Sequence, residues 1–383
     1  MPNRGPLSGI TVIDLSRILA GPYCTMLMAE MGARVIKVEP PKGGDDAREY
    51  GPFIGGRSTY FASINRGKES IALDLKADKD KAIFEKLLEI GDVIVENFRP
   101  GTMEKLGYGW ETLHARYPKL IYACASGFGH TGPNSKDPAY DMVVQGMGGM
   151  MSITGYPGQP PARVGMSIGD IGSGLYTAIA VNAAIVHRLK TGESTKIDVA
   201  MFDCQLALLE NAVVRYTVEG EIPGPLGARH PTITPFQAFK TADGNIIIAA
   251  GNDSLFVKMC DALGVPEMAQ RPEYKTNALR LKQQAQLQET IEAILSKKTT
   301  TEWIAIVGKA GVPCGPINNI AQAMQHPQVE ARNMLVDVPD GSGGTLKVVG
   351  NPLKMSAFAD PTTREVAPDL DANRAAILKE LGL

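Results

Sequence analysis

Residues 10–39 read ITVIDLSRILAGPYCTMLMAEMGARVIKVE, and this stretch decides the fold. Ile10 to Leu15 and Arg34 to Glu39 are short β-branched runs of strand length. Between them, Pro22 to Met31 reads as a helix whose proline sits in the first turn, where no amide donor is needed. Strand, helix, strand is the repeating unit of a parallel sheet covered by helices.

The same alternation continues outward. Further strands are expected at Ser70 to Leu75, Asp92 to Asn97 and Leu120 to Ser126, with a helix at Asp78 to Ile90. The fold class is therefore α/β, with a doubly wound, Rossmann-like parallel sheet in a large domain. After a Gly- and Met-rich stretch, Gly174 to Lys190 reads as a buried helix and Lys196 to Glu219 as a strand running into another helix. A Pro/Gly cluster at Ile222 to Gly227 then opens a new pattern. Gln237 to Lys240 and Asn245 to Ala250 flank Ala242-Asp243-Gly244, a hairpin signal, and helical segments follow at Ser254 to Leu263 and Arg280 to Lys297. The resulting division is a large α/β domain over 1–223, a smaller α+β domain over 224–323, and a segment over 324–383 that returns to the large domain.

Composition excludes several classes. The 383 residues carry a formal charge of only −2, with 44% hydrophobic and 21% charged residues, so disorder and bulk attraction to nucleic acid or an anionic membrane are disfavoured. Five scattered cysteines, none in a Cys-x-x-Cys pair, suggest neither a disulfide framework nor a zinc site and fit a reducing compartment. The longest apolar run, Leu175 to Val186, is short for a bilayer span, and a cytoplasmic protein is expected. The histidines lack metal-ligand spacing, and no metal is anticipated.

Familiar enzyme motifs are weak or missing. Gly127-Phe128-Gly129-His130-Thr131-Gly132 has dinucleotide-motif spacing after a strand, but Pro133 and Asn134 extend the loop where a helix should open. Gly67-Lys68 lacks the other P-loop residues, and no nucleophile-elbow serine occurs. His187 reads as a last-turn cation on its helix. His230, in Arg229-His230-Pro231, reads as a surface turn and is kept as a candidate substrate contact.

Several segments together resemble the family III CoA-transferases, which include formyl-CoA:oxalate, acetyl-CoA:oxalate and carnitine CoA-transferases. They are Val12 to Leu15 with Ala20-Gly21-Pro22, Gly32 to Glu39 with Gly44-Asp45 and Arg48, Asn65 to Lys68, Leu73 to Lys76, Glu96 to Gly101, Gly127 to Pro133, Val164 to Gly174, and Gly311 to Pro316. The resemblance implies an interlocked homodimer and a covalent mechanism with Asp170 as nucleophile. Read from the residues alone, Ser167-Ile168-Gly169-Asp170 is a capping box at a helix start, whose positive end would keep the carboxylate ionised. The resemblance further implies that coenzyme A lies along Leu19, Ala20, Leu73, Asp74, Leu75, Lys76, Asn97, Phe98, Arg99, Lys105, Ala139, Tyr140 and Asp141, with Tyr50 and Tyr60 lining the acyl pocket. No tightly bound cofactor is implied, since the CoA thioesters are themselves substrates.

Leu19, Pro40 and Lys105 depart from the formyl-CoA:oxalate pattern, as does a short segment where those enzymes carry a glycine-only loop. Acetyl-CoA or succinyl-CoA is the expected donor over formyl-CoA, and a small dicarboxylate such as oxalate the acceptor. Two alternatives stand beside this reading. A 2-methylacyl-CoA racemase of the same fold needs a second acid/base where Tyr140 stands, and a non-catalytic CoA- or dinucleotide-binding protein needs no nucleophile.

Overall fold

In the computed structural model, which describes residues 5–383, six strands form one parallel sheet: β1 (Thr11–Asp14), β2 (Arg34–Glu39), β3 (Glu69–Ala72), β4 (Val93–Glu96), β5 (Ile121–Ser126) and β6 (Lys196–Ala200). Their spatial order is β3-β2-β1-β4-β5-β6, and each neighbouring pair runs parallel. This is the doubly wound order anticipated from residues 10–39, with the winding reversing between β1 and β4. All six strands end on one edge, so the loops leaving β1 and β4 bound a crevice there.

The helices that cover the sheet or border that crevice include α1 (Ala20–Glu30), α2 (Asp78–Ile90), α3 (Asp141–Met147), α4 (Ile168–Thr191) and α5 (Arg374–Glu380). Alternation along the strands explains why both sheet faces are covered. Val12, Val35, Val93, Val95 and Ile121 pack on one side with Met28 of α1 and Val181 and Ile185 of α4. Ile13, Ile36, Ile94 and Tyr122 pack on the other with Phe84, Leu87 and Leu88 of α2 and Ile377 of α5. Each fully buried side chain of this kind contributes about 1.5–3 kcal/mol. By length and composition α4 is apolar enough to cross a bilayer, and half of its most apolar window is buried within the protein.

Two compact units emerge. One comprises the chain up to Met151, Arg163–Ile222 and Pro327–Leu383; the other comprises Ser152–Ala162 and Pro223–His326. Ser152–Ala162, placed by the sequence reading in the large domain, clusters with the smaller unit because the Gly155 carbonyl accepts the Gly227 amide at 2.8 Å.

Within the smaller unit, β7 (Phe236–Lys240) and β8 (Asn245–Ala249) form the expected hairpin, and β9 (Cys314–Pro316) adds a third strand that the sequence reading does not anticipate. The helix expected over 280–297 is interrupted at Gln283. In the first piece Arg280 is fully buried, its guanidinium donating to the carbonyls of Thr234 and Tyr274 and to Asp253.

Candidate active site at the carboxyl edge of the sheet

The loop between β1 and α1 is held from several directions at once. Asp14 accepts the Ser16 amide at 2.9 Å, and the Lys37 ammonium donates to the Ser16 carbonyl at 2.7 Å. Asn97, just beyond β4, accepts the Arg17 amide and donates to the Arg17 carbonyl, both at 2.8 Å. Asp45 accepts the Ile18 amide at 2.9 Å while pairing with Lys37 at 2.8 Å. These contacts hold Ile18 at φ 67°, a left-handed conformation that a β-branched residue adopts only under constraint.

Beneath the loop lies a buried charge cluster. Lys68 donates to Asp14 at 3.0 Å, Thr25 at 2.7 Å and Asn65 at 2.8 Å. Burial opposes the charge on Asp14, yet Lys68 and Lys37 hold its carboxyl down at about 2. The same burial draws the Lys68 ammonium down to about 8 against the pull of Asp14. Breaking one partner of such a buried pair costs about 3–5 kcal/mol. The residues quoted for the family resemblance in this region, Asp14, Lys37, Asp45, Asn65 and Lys68, therefore form the scaffold under the crevice.

The candidate coenzyme A residues of the large unit leave the carboxyl edge on successive loops. Leu19 and Ala20 begin α1 and are buried, the Leu19 side chain being taken up in the core. β3 ends at Ala72, three residues before the expected Leu75, because Asp80 accepts the Asp74 amide and Asp74 accepts the Lys76 amide, turning the chain. Leu73 to Lys76 consequently forms a loop in which Leu73 is buried while Asp74 and Lys76 are exposed. Asn97 and Phe98 follow β4 half-buried, with Arg99 and Lys105 exposed beyond them. Gly127 to Gly132 does not open a helix; the next one, α3, begins at Asp141 after Ala139 and the 70% exposed Tyr140. His230 lies in the smaller unit, where its Nδ1 accepts the amides of Thr232 and Ile233 and its ring stacks on Phe236 at 5.2 Å.

Asp170 stands half-buried in the first turn of α4, which starts at Ile168, six residues earlier than expected. The capping box does not form. Ser167 sits at φ −77°, ψ 72°, outside the extended conformation a capping hydroxyl needs, and makes no side-chain cap. Instead Asp141 Oδ1 accepts the Gly169 amide at 2.8 Å from outside the helix. Burial, then the charge of Asp141, pushes the Asp170 carboxyl up to about 7. The helix start thus does not dominate its protonation, contrary to the sequence expectation.

Tyr60 stands beside this carboxyl, with Tyr50 and Tyr140 beyond it. Burial, then the charge of Asp170, pushes the Tyr60 hydroxyl up to about 12. Tyr50 packs edge-on against Tyr60 with ring centroids 5.7 Å apart, and burial, Asp46 and Tyr140 raise its hydroxyl as well. Tyr50, Tyr60, Tyr140, Asp141 and Asp170 are thereby brought into one cluster from four separate stretches of chain.

A second group was missed by the histidine-spacing argument. Glu96, Cys124 and His130 place ligand-type atoms within 4.8 Å of one another. Glu96 already accepts from Tyr122 at 2.9 Å and the Phe98 amide at 2.7 Å, and the Lys196 nitrogen lies 3.3 Å from His130 Nδ1. A cation there would meet the Lys196 charge, so these residues fit a hydrogen-bonded support for the β4 loop better than a metal centre.

Comparisons with known proteins show the family of the whole chain. The family model for CoA-transferase family III matches residues 7–374. An acetyl-CoA:oxalate CoA-transferase of Acetobacter aceti is 45% identical over 98% of this chain and 96% of that protein. A succinate–glutarate CoA-transferase of Agrobacterium fabrum is 40% identical over 100% of this chain and 97% of its own length. Among solved structures, a CAIB/BAIF family protein from Brucella suis superposes with a TM-score of 0.86 at 38% identity, covering 99% of this chain and 100% of that one.

Proposed function

The chain belongs to CoA-transferase family III and is an enzyme that moves coenzyme A between an acyl-CoA and a carboxylate; we propose that it does so through covalent intermediates on Asp170. The observation that carries this reading is the Asp170 carboxyl itself. It is half-buried, it takes no part in capping α4, and among the described residues no hydrogen bond offsets the burial that raises it to about 7. A carboxylate of raised basicity is a better nucleophile, while remaining substantially ionised near neutral pH.

Asp170 attacks the thioester carbonyl and expels the CoA thiolate, leaving a mixed anhydride. The thiolate attacks the aspartyl carbon of that anhydride, releasing the donor acid and forming an aspartyl-CoA thioester. The acceptor carboxylate then attacks this thioester, expelling thiolate again. Attack of the thiolate on the acceptor's acyl carbon yields the new acyl-CoA and regenerates Asp170. Each bond to sulfur broken is remade, so no cofactor beyond the CoA substrates is required. The loops of Leu19 and Ala20, Leu73 to Lys76, Asn97 to Arg99 and Lys105, and Ala139 to Asp141 carry coenzyme A, with the exposed Lys76, Arg99 and Lys105 serving its phosphates.

For the acyl pair, the proposed donor is acetyl-CoA or succinyl-CoA and the acceptor a short dicarboxylate such as oxalate. Support comes from the acetyl-CoA:oxalate and succinate–glutarate activities named for the two relatives, with Tyr50 packed edge-on against Tyr60 beside Asp170 as the aromatic wall for a short acyl group. A homodimer is part of the proposal, because α4 exposes Ile179 (65%) and Leu189 (75%), and the following segment exposes Val218 (78%) and Ile222 (85%). Five free cysteines suit a cytoplasmic enzyme.

Incubation with acyl-CoA and hydroxylamine tests the mechanism. A hydroxamate on the peptide containing Asp170 is expected, and Asp170→Asn should bind CoA but lose turnover by several orders of magnitude. Label on another residue, or near-normal turnover in folded Asp170→Asn, overturns it. A panel of donors and acceptors tests the pair, and equal use of medium-chain monocarboxylates contradicts it.

A further inference from the structure

The approach to α4, Val164-Gly165-Met166-Ser167-Ile168-Gly169, has few apolar side chains to anchor it, and Met166 is itself 44% exposed. Its position is set by hydrogen bonds from one side of α3. Gln145, wholly buried, accepts the Val164 amide at 2.9 Å through Oε1 and donates through Nε2 to Asp141 Oδ2 at 2.8 Å and toward the Met166 carbonyl at 3.5 Å. Asp141, also buried, uses its other oxygen for the Gly169 amide at 2.8 Å. The two side chains are four residues apart on α3, the spacing that places them on one face. The contact is close: a Cβ on Gly169 would lie 2.7 Å from Val144 Cγ2 and 3.1 Å from Asp141 Oδ1.

We propose that Gln145 is a positioning residue for the transfer reaction, forming with Asp141 a hydrogen-bonded clamp that fixes the 164–169 approach and so fixes where the Asp170 carboxyl stands. The inference rests on Asp170 as nucleophile. It also changes the role of Asp141: with both oxygens engaged inside the protein, any contact to coenzyme A at this position falls to the backbone.

The clamp has a definite polarity. Turning the Gln145 amide over would set its oxygen against the Asp141 carboxylate and its NH2 against the Val164 amide, so only one orientation satisfies both neighbours. Asp141→Asn alone allows the asparagine oxygen to keep Gly169 but points NH2 at NH2. Gln145→Glu alone sets carboxylate against carboxylate. Combined, the two substitutions restore a donor facing an acceptor, with Gly169 and Val164 both still served, and carry the negative charge one turn along α3. The charged and titratable groups facing this region are Asp141, Asp170, Tyr60 and Arg163, whose guanidinium is 3.7 Å from Asp141.

The experiment compares kcat, acyl-CoA KM, thermal stability and the pH profile of wild type, the two single variants and the double variant. Misplacing a reacting group by about 1 Å costs on the order of 100-fold, so each single should lose roughly 10- to 100-fold in kcat. Acyl-CoA KM should stay within about threefold of wild type, since the clamp holds the nucleophile and not the nucleotide. The double variant should recover at least about tenfold over the worse single, with its acid limb displaced to lower pH because the charge near Asp170 has moved away. A double variant no better than the worse single, or singles with wild-type kcat, overturns the proposal. If Gln145→Glu does not fold, Gln145→Met takes its place in the kcat and KM comparison, and wild-type kcat there overturns it equally. Hydroxamate trapping on wild type separates the two layers: label away from Asp170 defeats the nucleophile assignment, whereas label on Asp170 without rescue defeats only the clamp.

Discussion

Asn97 grips Arg17 by both of its main-chain polar groups, accepting its amide and donating to its carbonyl at 2.8 Å each, across the point between β1 and β4 where the strand order reverses. The loop after β4 thereby joins Asp14, Lys37 and Asp45 in holding the loop after β1. Asn97→Ala removes both bonds, with an expected stability loss of about 1–3 kcal/mol. Asn97→Asp keeps the acceptor but faces the Arg17 carbonyl with a carboxylate oxygen. Both should raise acyl-CoA KM by roughly tenfold with a smaller change in kcat, measurable in steady-state assays with denaturant melts alongside.

The raised Asp170 carboxyl has a pH signature in activity and in stability. Turnover needs the ionised form, so the first half-reaction should rise with pH through an acid limb near about 7. For stability the sign is the opposite of a salt-bridged aspartate. With a folded value near 7 above the ordinary 3.8, ionised Asp170 costs stability, and the cost is absent below the ordinary value and full above about 7. Asp170→Asn should therefore melt higher than wild type at about pH 8, with the gain shrinking toward roughly pH 4.5. Calorimetry at the two pH values checks this, and an Asn variant less stable at the higher pH contradicts it.

The start of the C-terminal helix supports, from the sheet edge, the loop proposed to carry coenzyme A. Asn373 accepts the Ser70 amide at 2.9 Å, Asp371 accepts the Ala72 amide at 2.8 Å, and Arg374 donates to the Ala72 carbonyl at 2.8 Å, directly before Leu73 to Lys76. Asp371→Ala with Asn373→Ala leaves two edge amides to water. The double substitution should lower stability by about 1–3 kcal/mol and weaken CoA binding more than turnover. Isothermal titration with CoA and steady-state kinetics distinguish this from a uniform loss.

Ile179 tests the proposed homodimer. At 65% exposure on α4, its replacement by Lys would cost almost nothing if that face met water. In a dimer that covers the face, the buried charge should dissociate or destabilise the assembly by several kcal/mol. Light scattering of wild type and Ile179→Lys across a dilution series checks it; a wild type that is monomeric throughout removes the basis.

The strands and the hairpin were legible because their signals are local. Short β-branched runs such as Val12-Ile13 and Val35-Ile36 send successive residues to opposite faces of the sheet, both of which are apolar. Errors fell where side chains overrode the local pattern. The strand read through Leu75 stops at Ala72 because Asp80 and Asp74 take the amides of Asp74 and Lys76, and the helix read over 280–297 instead starts at Asn277 and is interrupted at Gln283. The Asp141 and Gln145 pair had a visible signal, a four-residue spacing on a helix, but nothing local said what the pair would hold.

Taken alone, the sequence determined the parallel α/β sheet, the loops at its carboxyl edge and, through its ordered motifs, the family and the candidate aspartate. Tertiary structure decided how that aspartate behaves. Whether Asp170 is capped or free, and whether its proton leaves near 4 or about 7, depends on burial and on Asp141, 29 residues earlier in the chain. The grip of Asn97 on Arg17 likewise joins residues 80 apart. Hydrogen bonds and desolvation act over a few ångströms of space, and only the folded chain sets which residues share them.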